Sequence, residues 1–147
     1  MISIKTYTQN SSKTTIINLK IGDIYTLCAF KTNEGYDLKL INDKYSGNNK
    51  SCSHLKVCNL IYNKNNIDAY ANDMVFCKGI NFLDTSKYID FIPESYDIKF
   101  KASENEFIND TAPLKKLKED NCYTCYLISS KTSSKAEVLF INDFYNF

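Results

Sequence analysis

A period-two alternation of apolar and polar residues constrains this chain more than any other feature. It is clearest from Thr14 to Lys44, TTIINLKIGDIYTLCAFKTNEGYDLKLINDK. Ile16, Ile17, Leu19 and Ile21 bring in a first run, and Gly22-Asp23 interrupts it. Ile24, Tyr25, Leu27, Ala29 and Phe30 resume the run, Asn33-Glu34-Gly35 turns the chain, and Tyr36, Leu38, Leu40 and Ile41 return. Successive side chains of a strand point to opposite faces, so β-branched and aromatic residues at this period, bounded by Gly, Asn and Asp, predict a hairpin. A glycine inside a long strand pattern predicts a bulge or sharp bend. A long bent first strand followed by a tight hairpin is how a small closed β-barrel begins, which makes this stretch the anchor of the fold reading.

The rest of the chain extends the same pattern. Ile2, Ile4 and Thr6 alternate as a first or edge strand, residues 45–53 form a polar loop, and HLKVCNLIY over 54–62 reads as a strand. A short strand is expected near 74–78. Another runs through Tyr88, Ile89, Phe91 and Ile92 and ends at Pro93, because proline cannot donate to a ladder. One helix is expected, over 103–120. Ser103 would cap a first turn beside Glu104 and Glu106, and Asp110 or Thr111 a second piece with Pro113 in its first turn. Leu114 and Leu117 would share its dry face, and Lys115, Lys116 and Lys118 its wet one. Cys122 to Ile128 and Ala136 to Ile141 are the last strands, the second packing Phe140, Phe144 and Phe147. The expectation is a single β-rich domain over 1–147, mainly β: a small OB-like β-barrel or sandwich with one short helix near 103–120.

At 147 residues the chain can bury a sizeable core, and 44% hydrophobic with 14% aromatic residues fits a folded domain. All 18 basic residues are lysine. Without arginine there is no arginine finger and no bidentate guanidinium contact to guanine, carboxylate or phosphate. The net charge of +1 gives a weak overall field, so any anionic partner must be met by a local patch. The N-terminus lacks an apolar signal core and no segment is long enough to cross a membrane, so the chain reads as intracellular, without membrane contact. Nothing in the sequence excludes an oligomer.

Six cysteines and one histidine raise the question of metal. Cys52 and Cys58 flank His54, and Cys122-Tyr-Thr-Cys125 has the two-residue spacer of a zinc knuckle. Residues three apart in a continuous strand point to opposite faces, and Tyr-Thr is poor turn chemistry. Free thiols are therefore expected, with no metal and no cofactor. Asp84, Asp90, Glu94 and Asp97 are scattered acids with no ligand spacing. The chain has neither a G-x-S-x-G elbow nor a P-loop, and a lone histidine limits general-base schemes, so no enzymatic activity is expected.

The strings LKIGDIYTLCAFKTNEGYDLKLI, YIDFIPESY and CYTCYLISS resemble, in that order, small OB-fold single-stranded-DNA-binding proteins of viruses and mobile elements, through Leu19, Gly22, Tyr25, Gly35, Ile92 and Pro93. The likeness spans about two thirds of the chain by order. It breaks at residues 45–82, which insert strands and cysteines. The resemblance implies binding of single-stranded nucleic acid without strong sequence preference. Tyr25 and Tyr36 would stack bases, and Lys20, Lys31 and Lys39 would track the phosphates. The competing expectation is a β-sandwich that binds a protein partner, such as a viral effector that captures a host protein, since the same aromatic content suits an interface.

Overall fold

A computed structural model describes residues 1–7, 12–102, 106–109, 113–130 and 135–143, without the side chains of residues 6 and 7. The chain divides into two compact units, Met1–Ser46 and Gly47–Phe147. Among the described residues all regular structure is β, so none forms a helix able to cross a membrane.

In the first unit β1 (Ile2–Tyr7) pairs antiparallel with β2 (Ser12–Ile17), and β3 (Tyr25–Thr32) with β4 (Gly35–Asn42). The expected hairpin at Asn33-Glu34 is present, with Thr32 opposite Gly35. The expected long bent strand is not. β2 ends at Ile17 and pairs back with β1, while Gly22, at φ +81°, lies in a turn closed by the Asp23 amide on the Lys20 carbonyl. That left-handed φ suits glycine, and it makes the interruption a separator of strands rather than a bulge within one.

The second unit holds β5 (Ser53–Asn59), β6 (Ile67–Ala71), β7 (Met74–Ile80), β8 (Ile89–Phe91), β9 (Ser95–Tyr96), β10 (Ile98–Lys101), β11 (Lys115–Lys116), β12 (Cys122–Ser129) and β13 (Ala136–Asn142). Its two larger sheets have the orders β13-β12-β5-β8 and β10-β6-β7. They are arranged like a sandwich around Leu55 and Val57 from β5, Tyr123, Cys125 and Leu127 from β12, Ile67 and Ala69 from β6, and Phe100 from β10. Among the described residues no sheet closes on itself, so the barrel form of the expectation is replaced by open layers. β6 turns into β7 through Asn72 and Asp73, both at positive φ, the backbone of a two-residue turn matched to strand twist.

Among the described residues of 103–120 there is no helix, against the expectation. Its proposed caps Ser103, Asp110 and Thr111 lie outside the described residues, as do Phe144 and Phe147. The described part pairs as strand and bridge residues before a turn at Glu119–Asp120. Phe107 bridges to Lys101, Asn109 bridges to Ala136, and Lys115–Lys116 pairs with Ser95–Tyr96. Asn109 accepts the Phe100 amide through Oδ1 at 2.9 Å, and Leu117 is buried in the core. Sheet partners supply these backbone groups with bonds that a short helix would have to make within itself, and tertiary pairing overrides a weak local propensity.

Candidate binding groove

The five residues expected to meet nucleic acid all lie in the first unit. Cross-strand pairing sets their faces. Tyr25, opposite Asn42, and Lys31, opposite Tyr36, share one face of the β3–β4 hairpin, while Lys39, opposite Cys28, stands on the other. Tyr36 is 56% exposed. Tyr25 and Lys31 are six residues apart along β3, about 20 Å, so the two rings do not form one stacking platform. The Tyr25 hydroxyl donates to Asp23 Oδ2 at 3.3 Å and accepts the Lys20 amide at 3.3 Å, which ties the ring to its own turn. Lys20 is exposed and lies outside the strands.

The cysteines and the histidine are distributed by the parallel β5–β12 register, which sets His54 beside Cys122, Lys56 beside Thr124 and Cys58 beside Tyr126. These residues share the sheet face turned away from the core, whereas Cys125 faces inward among Val57, Leu127 and Phe140. Cys122 and Cys125 thus stand on opposite faces of β12. All six cysteines are free thiols, and among the described residues no three His, Cys, Asp or Glu side chains are disposed to hold a metal. Burial, with Asp143 and Asp120 adding to it, pushes the Cys122 thiol up to about 11. A thiol held that high is a poor nucleophile and a poor ligand at neutral pH. Around it the polar groups are tied together. His54 Nδ1 lies 2.8 Å from Asp90 Oδ1, the Lys56 ammonium sits 4.6 Å over the Tyr88 ring, and Tyr88 and Thr124 both donate to Asp143 Oδ2.

A different part of the second unit is open. β7 ends one sheet, β8 ends the other, and between them lies a groove of about 280 Å³. Ala71, Met74, Val75 and Phe76 line one side; Ile89, Asp90, Phe91, Ile92 and Tyr96 line the other. Its floor is aromatic. Phe91 meets Phe76 edge-to-face at 5.2 Å and Tyr96 at 5.1 Å, and the Tyr96 hydroxyl donates to the Ile92 carbonyl at 2.9 Å. Such contacts fix ring orientation and stabilise by about 0.5–1.5 kcal/mol each beyond area burial. The lips are apolar and wet, with Met74 76% exposed and Ile92 70%.

Carboxylates sit around this groove. Asp90 borders it, but its cross-strand pairing with His54 turns its carboxylate, 45% exposed, to the sheet face away from the groove floor. Its oxygens accept from Asn49 Nδ2 at 2.9 Å and meet His54 at 2.8 Å. The Tyr96 phenol is raised by burial first and then by the nearby carboxylate of Glu94, which locates that exposed acid at the tyrosine end. Asp73 adjoins Met74 and meets Lys99 at 3.5 Å.

The sequence reading takes Met74–Phe76 and Ile89–Ile92 as strand residues and assigns them no site. Alternating apolar residues are the ordinary signature of core, and nothing local marks Met74 and Ile92 as strand-end residues left in water. The Pro93 stop is the one signal in the sequence, since it ends β8 beside the groove.

A family model described as a domain of unknown function (DUF4397) matches residues 53–146, more than half of the chain. Among solved structures, the C-terminal domain of AlgF from P. aeruginosa is similar at 12% identity with a TM-score of 0.49, over 63% of this chain and 99% of that one. No curated protein matches. The family match overturns the resemblance to OB-fold single-stranded-DNA-binding proteins of viruses and mobile elements. The short strings that carried it, built on Gly22, Gly35 and Pro93, are turn and strand-end punctuation common to many β folds.

Proposed function

The chain belongs to the DUF4397 family, whose description assigns no activity, and from that premise we propose that its second unit is a non-catalytic protein-interaction module that works through the groove between β7 and β8. The observation that carries this reading is an apolar groove at two sheet ends whose lips, Met74 and Ile92, are 76% and 70% exposed. Isolated exposed apolar residues are ordinary, but contiguous ones over a concave aromatic floor characterise binding sites. Covering a Met or Ile side chain fully is worth about 1.5–3 kcal/mol, so two such lips supply a useful share of a modest affinity. Of the two expected partners, protein and single-stranded nucleic acid, this geometry supports the first. The second rested on a resemblance now withdrawn and on a tyrosine–lysine set that the β3–β4 hairpin divides between two faces.

A displayed library of random decapeptides, selected on the full-length protein, tests the reading. Enriched peptides should lose at least tenfold in affinity on Met74→Asp and on Ile92→Asp. Both variants should melt within a few degrees of the parent, because neither side chain is buried. Peptides that bind parent and variants alike, or a selection that enriches nothing, would remove the groove from consideration.

A further inference from the structure

A second cavity of the Gly47–Phe147 unit shares no lining residue with the groove. It holds about 410 Å³ and opens where β5 and β12 end and β13 begins. We propose that it binds a small amphipathic organic acid, with the apolar body against Ile61, Phe107 and Ile108 and the carboxylate beside Lys64 and Lys135. The frame, the lining and the charge of the cavity each point to this ligand.

The frame is built from backbone hydrogen bonds. The Leu60 amide donates to the Leu127 carbonyl at 2.9 Å and the Ile61 amide to Asn59 Oδ1 at 3.0 Å, which fixes the chain as it leaves β5. Residues 106–108 are stitched between β10 and β13. The Ala102 amide donates to the Glu106 carbonyl at 3.0 Å, the Ile108 amide to the Phe100 carbonyl at 2.9 Å, and the Ala136 amide to the Ile108 carbonyl. A cavity held in this way needs little ordering to receive a ligand. Its volume falls within the range of about 300–1,000 Å³ usual for small-molecule sites.

The lining is apolar at its base. Ile61 belongs to the main core cluster, and Ile108 and Ala136 pack against that cluster. Phe107 adds a partly exposed ring, and Tyr62 a second one, held edge-to-face by Phe82 at 5.4 Å. A hydrocarbon or aromatic body leaves water on entering such a site, which is the main source of affinity for a ligand of this size.

The charge is cationic. Lys64 and Lys135 line the cavity against one carboxylate, Glu106. Among the described residues Lys64 meets no acid within ion-pair distance. The Ser130 hydroxyl donates to Glu137 at 2.8 Å. More positive charge stands against the Phe107 ring. The Lys101 ammonium lies 4.5 Å from its centroid and 4.8 Å from that of Tyr70, and it too has no acidic partner among the described residues. Lys99 lies 5.7 Å over the same ring but is held by Asp97 at 2.7 Å. A surplus of ammonium groups beside an apolar cavity complements one negative charge and repels a cation.

Decanoate and naphthoate serve as probes, one a flexible chain and the other a rigid ring. Each is titrated into the full-length protein by calorimetry, below the concentration at which decanoate forms micelles. At least one should bind, and its neutral counterpart, decanol or naphthalenemethanol, should bind about fivefold more weakly or worse. Replacing Lys64 and Lys135 together by alanine should lower the affinity of the acid several-fold at low salt and leave that of the alcohol unchanged. Glu106→Gln should raise the affinity of the acid, because a like charge is removed. All three side chains are exposed, so the fold is kept, and a thermal melt checks this. Lys116→Ala, at an exposed lysine that does not line the cavity, should change nothing. Met74→Asp, in the groove, should be equally silent. Binding of neither acid, equal binding of acid and alcohol, an acid indifferent to the paired lysine replacement, or one weakened by Glu106→Gln overturns the proposal. An acid lost on Met74→Asp sits in the groove, which overturns it as well. Peptides selected on the groove should ignore the paired lysine replacement, so either site can fail without the other.

Discussion

Cys125 sits mid-strand in β12 with no exposed surface, and burial pushes its thiol from an ordinary 9.0 up to about 12. The folded protein therefore keeps a proton that the unfolded chain sheds from about pH 9, and the unfolded state binds fewer protons across that window. Stability is fully present below pH 9 and falls as pH rises toward the folded value. The limiting slope is about 1.36 kcal/mol per pH unit for one thiol. Cys122, pushed up to about 11, acts in the same direction. Cys125→Ala should lower stability at neutral pH, because a packed sulfur is lost. The same variant should flatten the alkaline decline relative to the parent. Urea unfolding of both proteins across the alkaline range measures this, and parallel curves would show that the buried thiol does not set the slope.

At the scale of elements, Asn59 explains how β5 ends. It is fully buried, its Oδ1 accepts the Ile61 amide at 3.0 Å, and its Nδ2 donates to the Lys64 carbonyl at 2.8 Å and the Ile80 carbonyl at 3.4 Å. One side chain thus ties the β5 end to the following loop and to the end of β7. Asn59→Ala leaves those backbone groups buried without it, and should cost about 1–3 kcal/mol in chemical denaturation. A loss under about 0.5 kcal/mol would mean that water replaces the amide. The sequence foretells β5 itself, along with β1, the β3–β4 hairpin, β7, β8, β12 and β13, because their β-branched and aromatic residues alternate over five or more positions or stop at a proline. It hides β6, whose inward positions Ala69 and Ala71 are small and poor strand formers, although Asn72-Asp73 marks the turn that follows. It misplaces 103–120, where capping residues and two leucines imitate a helix and distant partners decide otherwise. The groove is hidden for a related reason: Met74, Phe91 and Ile92 look like core in one dimension, and only the ends of two sheets separate those that are buried from those that are wet.

At the scale of the whole molecule, every residue of the main core cluster belongs to Gly47–Phe147. That cluster joins strands distant in sequence, Leu55 with Tyr123 and Ala69 with Phe100 among them, and two sheets with a shared apolar interior are the minimum a β domain needs to stand alone. Among its described residues the first unit holds instead two two-stranded antiparallel sheets. The family match at 53–146 falls inside the same boundary. A chain of about 100 residues buries enough surface to fold without help. Residues 47–147 expressed alone should therefore unfold cooperatively, with a melting midpoint within a few degrees of the full-length protein and a near-ultraviolet circular dichroism signal from Tyr96, Tyr123 and their neighbours. Every groove residue lies between Ala71 and Tyr96, so the fragment should also bind the selected peptides with unchanged affinity. A fragment that aggregates, or that melts without cooperativity, would show that the second unit depends on the first. A fragment that folds but has lost the peptides would move the binding surface out of the groove.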